Sequence, residues 1–251
     1  MKGRFKFLKY GNFIINEDFY TELKESSFIT KLNDWDTLEN YFPLIFRHSK
    51  HYRQFKAFKI NSLEIYVKKY LKNIEEAKHE WNNIQLLWSN GFPTSIPVFF
   101  YTNGTFAYVG TEKVPGLTFP EIFLERKPKL ILESILEIAK FLGLFHKTGF
   151  FHQDCYLNHF YLDQETKTLR IIDVSRVLFK PTFSSYYLVK DLSQLRFSFF
   201  RYLKEKFQYY WEIFFNEYQK SNRKVSLFEN VIIKVKFYQT ARHTFKKENF
   251  T

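Results

Sequence analysis

Cysteine occurs once in the 251 residues, so no internal disulfide can form, as befits a reducing compartment. Long apolar runs are missing too: none approaches the length of a bilayer-spanning helix, although 45% of the residues are hydrophobic and 21% aromatic. The opening MKGRFKFLKYGNF mixes lysine and arginine into its apolar residues and has no small-residue cleavage site, so a secretory signal is not expected and a cytosolic location is. Internal repeats and low-complexity linkers are also lacking, which leaves one large domain or two modest lobes and excludes a disordered chain. Acids are scarce, 26 against 38 lysines and arginines, and the net charge of +12 implies attraction to something anionic. Nucleic acid, acidic lipid headgroups, nucleotides and phosphorylated sugars all qualify.

The positive charge is unevenly spread. Between Pro43 and Lys72 stand Arg47, Lys50, Arg53, Lys56, Lys59, Lys68, Lys69 and Lys72 against the single acid Glu64. A second basic region runs from Arg201 onward, broken by YYWEIFF and VIIKVKF, and reads as amphipathic segments with solvated lysines rather than a dedicated binding face.

From Phe55 to Leu71 apolar residues nearly alternate with lysines around Asn61-Ser62, which predicts a strand hairpin. In NIEEAKHEWNNIQLLWSNG the residues Ile74, Ala77, Trp81, Ile84 and Trp88 step by three and four, so a helix starts near Asn73 and stops at Gly91. Two strand-like runs then flank Asn103-Gly104, a strong hairpin signal. Pro115-Gly116 breaks the pattern. Beyond it, LILESILEIAKFLGLFHKTG reads as a buried helix ending at Gly149, FYLD and LRIID as two short strands, and the remainder from Leu188 as mostly helical. The expected fold class is α+β in two lobes, residues 1–114 mainly β with one main helix and 115–251 mostly helical.

Polar groups converge on this scaffold. If Phe160 to Asp163 pairs antiparallel with Leu169 to Asp173, then Asn158, His159 and Asp173 meet at one edge, with Asp154 in the loop just before. Such a cluster in apolar surroundings is paired, metal-bound or functional. A satisfied turn network is the bland alternative for each residue taken singly. Glu80 falls inside the apolar arc of its helix and needs a cation, and the preceding strand IYVKKYL offers Lys68 or Lys69 on opposite faces. Cys155 reads as a packing thiol, and a zinc site of His152, Cys155 and His159 fits none of the usual spacings.

Lys68 after I-Y-V, Glu80 on the next helix, HQD at 152–154 and IID at 171–173 resemble the motifs of protein-kinase-like phosphotransferases. DCYLNHF, EWNNIQLLWSNGFPTSIP, TEKVPG and VKDLSQLRFS, between about Ser49 and Ser198, resemble the bacterial lipopolysaccharide core kinases, and within them the heptose kinases. The resemblance implies ATP and Mg²⁺ as cofactors and transfer of the γ-phosphoryl group to a sugar hydroxyl. It gives Asp154 the acceptor proton, Asp173 the metal with His159 and Asn158 beside it, and Lys68, fixed by Glu80, the nucleotide phosphates. Asp191 takes the position that braces the catalytic loop, and Thr111-Glu112-Lys113-Val114 that of the interlobe hinge, with Glu112 and Val114 binding adenine through the backbone. Two features depart from ordinary protein kinases. His159 stands where an asparagine usually ligates metal, a change the lipopolysaccharide subset shares, and the phosphate loop HSKHYRQF lacks glycine, so Ser49, Lys50 and Arg53 would bind phosphate with side chains. The implied partners are a lipid-linked lipopolysaccharide core acceptor, the anionic cytosolic face of the inner membrane, and an acidic protein such as acyl carrier protein. A Kdo kinase, a noncatalytic nucleotide-binding protein and a basic nucleic-acid binder are the competing readings, and no nucleic acid partner is expected.

Overall fold

The computed structural model describes residues 5–50, 52–182 and 184–248, and His51 of the expected phosphate loop lies outside them. The chain divides into two compact units, one up to Val114 and the other from Pro115.

In the first unit, β1 (Phe7–Tyr10), β2 (Phe13–Asn16), α1 (Glu17–Glu25), α2 (Phe28–Lys31) and a 3-10 segment (Leu32–Asn40) precede β3 (Leu44–Lys50), β4 (Arg53–Ile60) and β5 (Leu63–Tyr70). Then come α3 (Ile74–Ser89), β6 (Pro97–Thr102) and β7 (Ala107–Glu112). The strands form one antiparallel sheet of seven in the order β1-β2-β6-β7-β5-β4-β3. The predicted hairpin turns at Asn61, whose φ of 53° places it in the left-handed region. Asn73 caps α3 by accepting from the Glu76 amide, and Gly91 ends the segment at φ 80°. The Asn103-Gly104 connection is longer than a two-residue turn. Asn103 accepts from both Thr105 and Phe106 amides, so its side chain builds a four-residue loop.

The one main helix expected beside this sheet is α3, and shorter helical segments accompany it. Phe28, Leu32, Trp35 and Leu38, fully buried or nearly so, join Phe58, Ile65, Val67, Phe99 and Tyr108 in the core on one sheet face. On the opposite face Trp81 of α3 stacks on Phe100. The early helical segments span only nine, four and nine residues, too short for a hydrophobic period to stand out.

The second unit starts with β8 (Leu117–Thr118), α4 (Phe119–Leu124), α5 (Pro128–Lys147) and β9 (Phe150–Phe151). The hairpin β10 (Phe160–Leu162) and β11 (Leu169–Ile171) follows, then β12 (Leu178–Phe179), α6 (Ser185–Leu203), α7 (Phe207–Ser221) and α8 (Leu227–Glu248). β10 pairs with β11 in the expected register, Phe160 opposite Ile171 and Leu162 opposite Leu169. β8 adds to the other edge of β10, with Leu117 opposite Leu162. Gly116 turns the chain into β8 at φ 94°, and a Cβ there would strike the Leu162 carbonyl, so both conformation and space require glycine.

Candidate active site

β5 delivers the lysine of the first unit. Successive strand residues face opposite ways, and the even-numbered side chains of β5 point toward α3. Lys68 Nζ therefore reaches Glu80 Oε1 at 2.5 Å. Lys69 lies on the other face over the rings of Trp35, Phe106 and Tyr108, which resolves the choice that periodicity left open. Glu80 is 3% exposed, and its second oxygen accepts from the hydroxyl of Tyr70, two residues beyond Lys68 on the same strand face. Burial, then the neighbouring carboxylate, pushes the Tyr70 hydroxyl pKa far up, so it stays a donor. Lys68 remains partly accessible while its carboxylate is held by two partners.

The second unit carries the acidic cluster. Phe151 ends β9, and residues 152–159 loop from it into β10. Asp154, His159 and Asp173 each bring a ligand atom within 4.8 Å of the others, the single such group of histidine, cysteine or acid side chains among the described residues. The geometry follows from the hairpin: the Ile172 amide donates to the His159 carbonyl at 2.9 Å, closing the end of β10-β11 where the two residues stand. Asp173 sits at φ 55° and Gln153 at φ 65°, conformations that cost a non-glycine residue roughly 1 kcal/mol or more and persist because their surroundings hold them. His159 Nδ1 donates to the Asp154 carbonyl at 2.8 Å, which leaves the lone pair of a neutral ring on Nε2. Two carboxylates and an imidazole nitrogen are a donor set that a divalent cation fits, the oxygens suiting Mg²⁺ and the nitrogen suiting it less. Asn158 is exposed in a 3-10 turn, Leu157–His159, beside this group.

α6 braces the loop from below with one face. Asp191 accepts from the amides of His152 and Gln153, both at 2.7 Å. Gln194 accepts from the Cys155 amide at 3.0 Å and Ser198 from the Leu157 amide at 3.3 Å. Positions 191, 194 and 198 share a helix face, so one side of α6 satisfies four of the loop's amides, those of residues 152, 153, 155 and 157. Asp191 was readable in the sequence. Gln194 and Ser198 were missed, although the same three-and-four spacing in DLSQLRFS would have found them.

His146 also escaped the sequence reading. It lies on the buried face of α5, where its Nε2–H donates to Asp191 at 3.1 Å and its Nδ1 accepts from Tyr218 at 2.7 Å. Asn222 in turn donates to the Tyr218 oxygen at 2.7 Å. His152 is buried, its Nε2–H donating to the Ile172 carbonyl and its Nδ1 without a hydrogen-bond partner among the described residues. Burial, and then the adjacent His159, lowers its pKa, so it is a neutral packing element of the loop. Cys155 is buried, and burial drives its thiol pKa well up, which suits packing and not nucleophilic attack.

The remaining expected residues fall as follows. HSKHYRQF is not an open loop: β3 continues through Lys50 and β4 resumes at Arg53, so Ser49 pairs with Gln54 and Lys50 with Arg53 at a hairpin tip. Ser49 and Lys50 are exposed there. Arg53 lies over the Tyr70 ring and 3.9 Å from Glu76, so its guanidinium is turned onto its own unit. Glu112 ends β7 with its amide donating to the Ile96 carbonyl, and Val114 is buried just beyond.

Residues 46–218, well over half of the chain, match the lipopolysaccharide kinase (Kdo/WaaP) family. The chain belongs to that family. Among curated proteins it is similar to the lipopolysaccharide core heptose(I) kinase WaaP of Pseudomonas aeruginosa, 28% identical over 139 residues. The match covers 49% of this chain and 52% of that protein, so the chain spans about half the length of the curated relative it matches. Among solved structures, WaaP in complex with acyl carrier protein superposes with a TM-score of 0.61 at 21% identity, covering 78% of this chain and 87% of that one. An aminoglycoside-3'-phosphotransferase of type VIII follows at 0.54 and 15%, covering 81% and 97%. The fold of this Kdo/WaaP family member is accordingly protein-kinase-like, a mixture of helix and sheet with a β-rich N-terminal region.

Proposed function

We propose that this Kdo/WaaP family chain transfers the γ-phosphoryl group of ATP to a hydroxyl of a heptose in the lipopolysaccharide inner core. The observation that carries the reading is the meeting of Asp154, His159 and Asp173 at the end of a hairpin, on a loop whose amides α6 holds. The acceptor oxygen forms a bond to the γ-phosphorus while the bond from that phosphorus to the β–γ bridging oxygen breaks, and ADP departs. Asp154 accepts the hydroxyl proton, and its place in a braced loop fixes the direction of attack. Lys68, oriented by Glu80, binds the nucleotide phosphates as a point charge, and Ser49 and Lys50 add polar contacts from their hairpin tip. Arg53 would join them after leaving Glu76. Glu112 and Val114 would meet the adenine through their backbones. Asp173, with His159 and Asn158, would hold Mg²⁺, which when bound neutralises phosphate charge.

The acceptor is lipid-linked, so the enzyme works at the cytosolic face of the inner membrane, and no helix among the described residues is long and apolar enough to cross a membrane. A relative solved with acyl carrier protein favours a similar acidic partner for this basic chain.

Transfer from radiolabelled ATP to purified core acceptors tests the proposal. Label is expected on heptose, with kcat lowered about 10²–10⁴-fold by Asp154→Asn. Loss of activity in Asp173→Asn and on chelation of divalent metal is also expected. The family description includes Kdo, which keeps a Kdo acceptor as the second reading. Label on Kdo and none on heptose would establish that reading, and full activity in Asp154→Asn would sink both.

A further inference from the structure

α8 packs with one face and exposes the other, and both are apolar. On a wheel of 100° per residue, Ile233, Phe237 and Ala241 point inward and are buried, the last two in a cluster with Phe197 and Phe200. Leu227, Phe228, Val231, Val235 and Tyr238 fall on an outer arc about 100° wide, and they are 87%, 74%, 58%, 49% and 69% exposed. A solvated helix face is ordinarily polar, and adjoining exposed apolar side chains mark an interaction surface. The exposed charged side chains described around this arc carry one sign. Lys224, Lys234 and Arg242 are exposed, while Glu229 in the first turn of α8 is 5% exposed and bound to Arg223 by two hydrogen bonds.

A second observation lies along the same helix. Arg196 of α6 is 8% exposed, packed among the rings of Phe207, Trp211 and Phe237, with its Nε and Nη1 lacking any hydrogen-bond partner among the described residues. It lines an open cleft with Lys234, Asn230, Gln208 and Asn216. Glu212 also lines the cleft, where it accepts from Gln208 at 2.8 Å. Buried guanidinium nitrogens without hydrogen-bond partners are costly, and a phosphate ester would satisfy them.

We infer that the outer face of α8 docks on a bilayer rich in anionic phospholipid, its apolar arc entering the headgroup boundary while the Arg196–Lys234 cleft takes a headgroup phosphate. Helices that lie in the interface combine such an arc with flanking cations. The family match ends at residue 218, so α8 lies beyond it. The inference rests on the membrane-facing part of the proposed function and not on its chemistry.

Sedimentation of the full chain with vesicles tests it. Binding is expected to phosphatidylglycerol-containing vesicles and to be far weaker to pure phosphatidylcholine. Phe228→Asp with Val231→Asp should weaken it about tenfold or more, with unchanged circular dichroism and Tm, because both side chains are exposed. Lys234→Gln should weaken it about fivefold. Absence of vesicle binding, or equal binding by the Phe228→Asp, Val231→Asp chain, overturns the inference. So does a dimer in sedimentation velocity that these substitutions dissociate while lipid binding is nil, since the face would then meet a second copy. Inorganic phosphate abolishing binding at unchanged ionic strength would support the cleft, and indifference of Lys234→Gln to lipid charge would overturn its part. Asp154→Asn is expected to bind vesicles like the wild type, so failure of the kinase reading and failure of this one are separable.

Discussion

Glu80 accepts from a cation on one oxygen and a hydroxyl on the other. Its presence on the apolar arc of α3 called for a partner, since an ionised carboxylate cannot be buried alone. Tyr70 was within reach of the same reasoning, because residues two apart on a strand share a face. The two partners are not equivalent. Tyr70→Phe removes a neutral donor and is expected to cost about 1–2 kcal/mol in urea denaturation. Glu80→Gln takes the carboxylate from the partly accessible Lys68 and is expected to cost more, about 3 kcal/mol. Equal costs would mean that the lysine finds solvent as readily as the carboxylate.

At the scale of elements, periodic patterns long enough to repeat were legible. α3 and α5 have 16 and 20 residues, and their apolar stripes announce them. The first 45 residues did not announce theirs, because two strands of four residues and helical segments of nine or fewer bury side chains such as Phe28 and Trp35 only through their tertiary neighbours. The start of α8 depends on a local ion pair. Glu229 accepts from Arg223 twice and from the Ser226 amide, and the guanidinium hydrogen bonds hold its carboxyl down at about 2. A folded pKa below the unfolded one stabilises above pH 4.5, and the stabilisation fades as pH falls from 4.5 toward 2. Glu229→Gln is therefore expected to lose about 1–2 kcal/mol near neutrality and almost nothing near pH 2, read by thermal melts against pH. A constant deficit at every pH would refute the electrostatic account.

Charge acts on the molecule as a whole. A net charge of +12 repels itself, and the repulsion grows as acids are protonated. His152 works in the same direction. Its folded pKa lies below the ordinary 6.5, so its contribution is complete above 6.5 and is lost as pH falls below that value and the unfolded chain takes up the proton. Tm is thus expected to rise from pH 5 to pH 8, and to rise further with added salt, which screens the surplus charge. A fall in Tm over that pH range would contradict both causes.

The sequence alone determined the basic character, the long helices, the hairpin pairings and the order of lysine, glutamate and two aspartates, because each is local or periodic. Tertiary structure alone decided which lysine meets Glu80, since that depends on the face of the sheet that α3 covers. It alone turned Arg53 back onto Glu76 and Tyr70, drew His146, Gln194, Ser198 and Tyr218 into the support of the 152–159 loop, and left one side of α8 exposed. Those outcomes depend on residues far apart in the chain, and no window of sequence contains the neighbour that determines them.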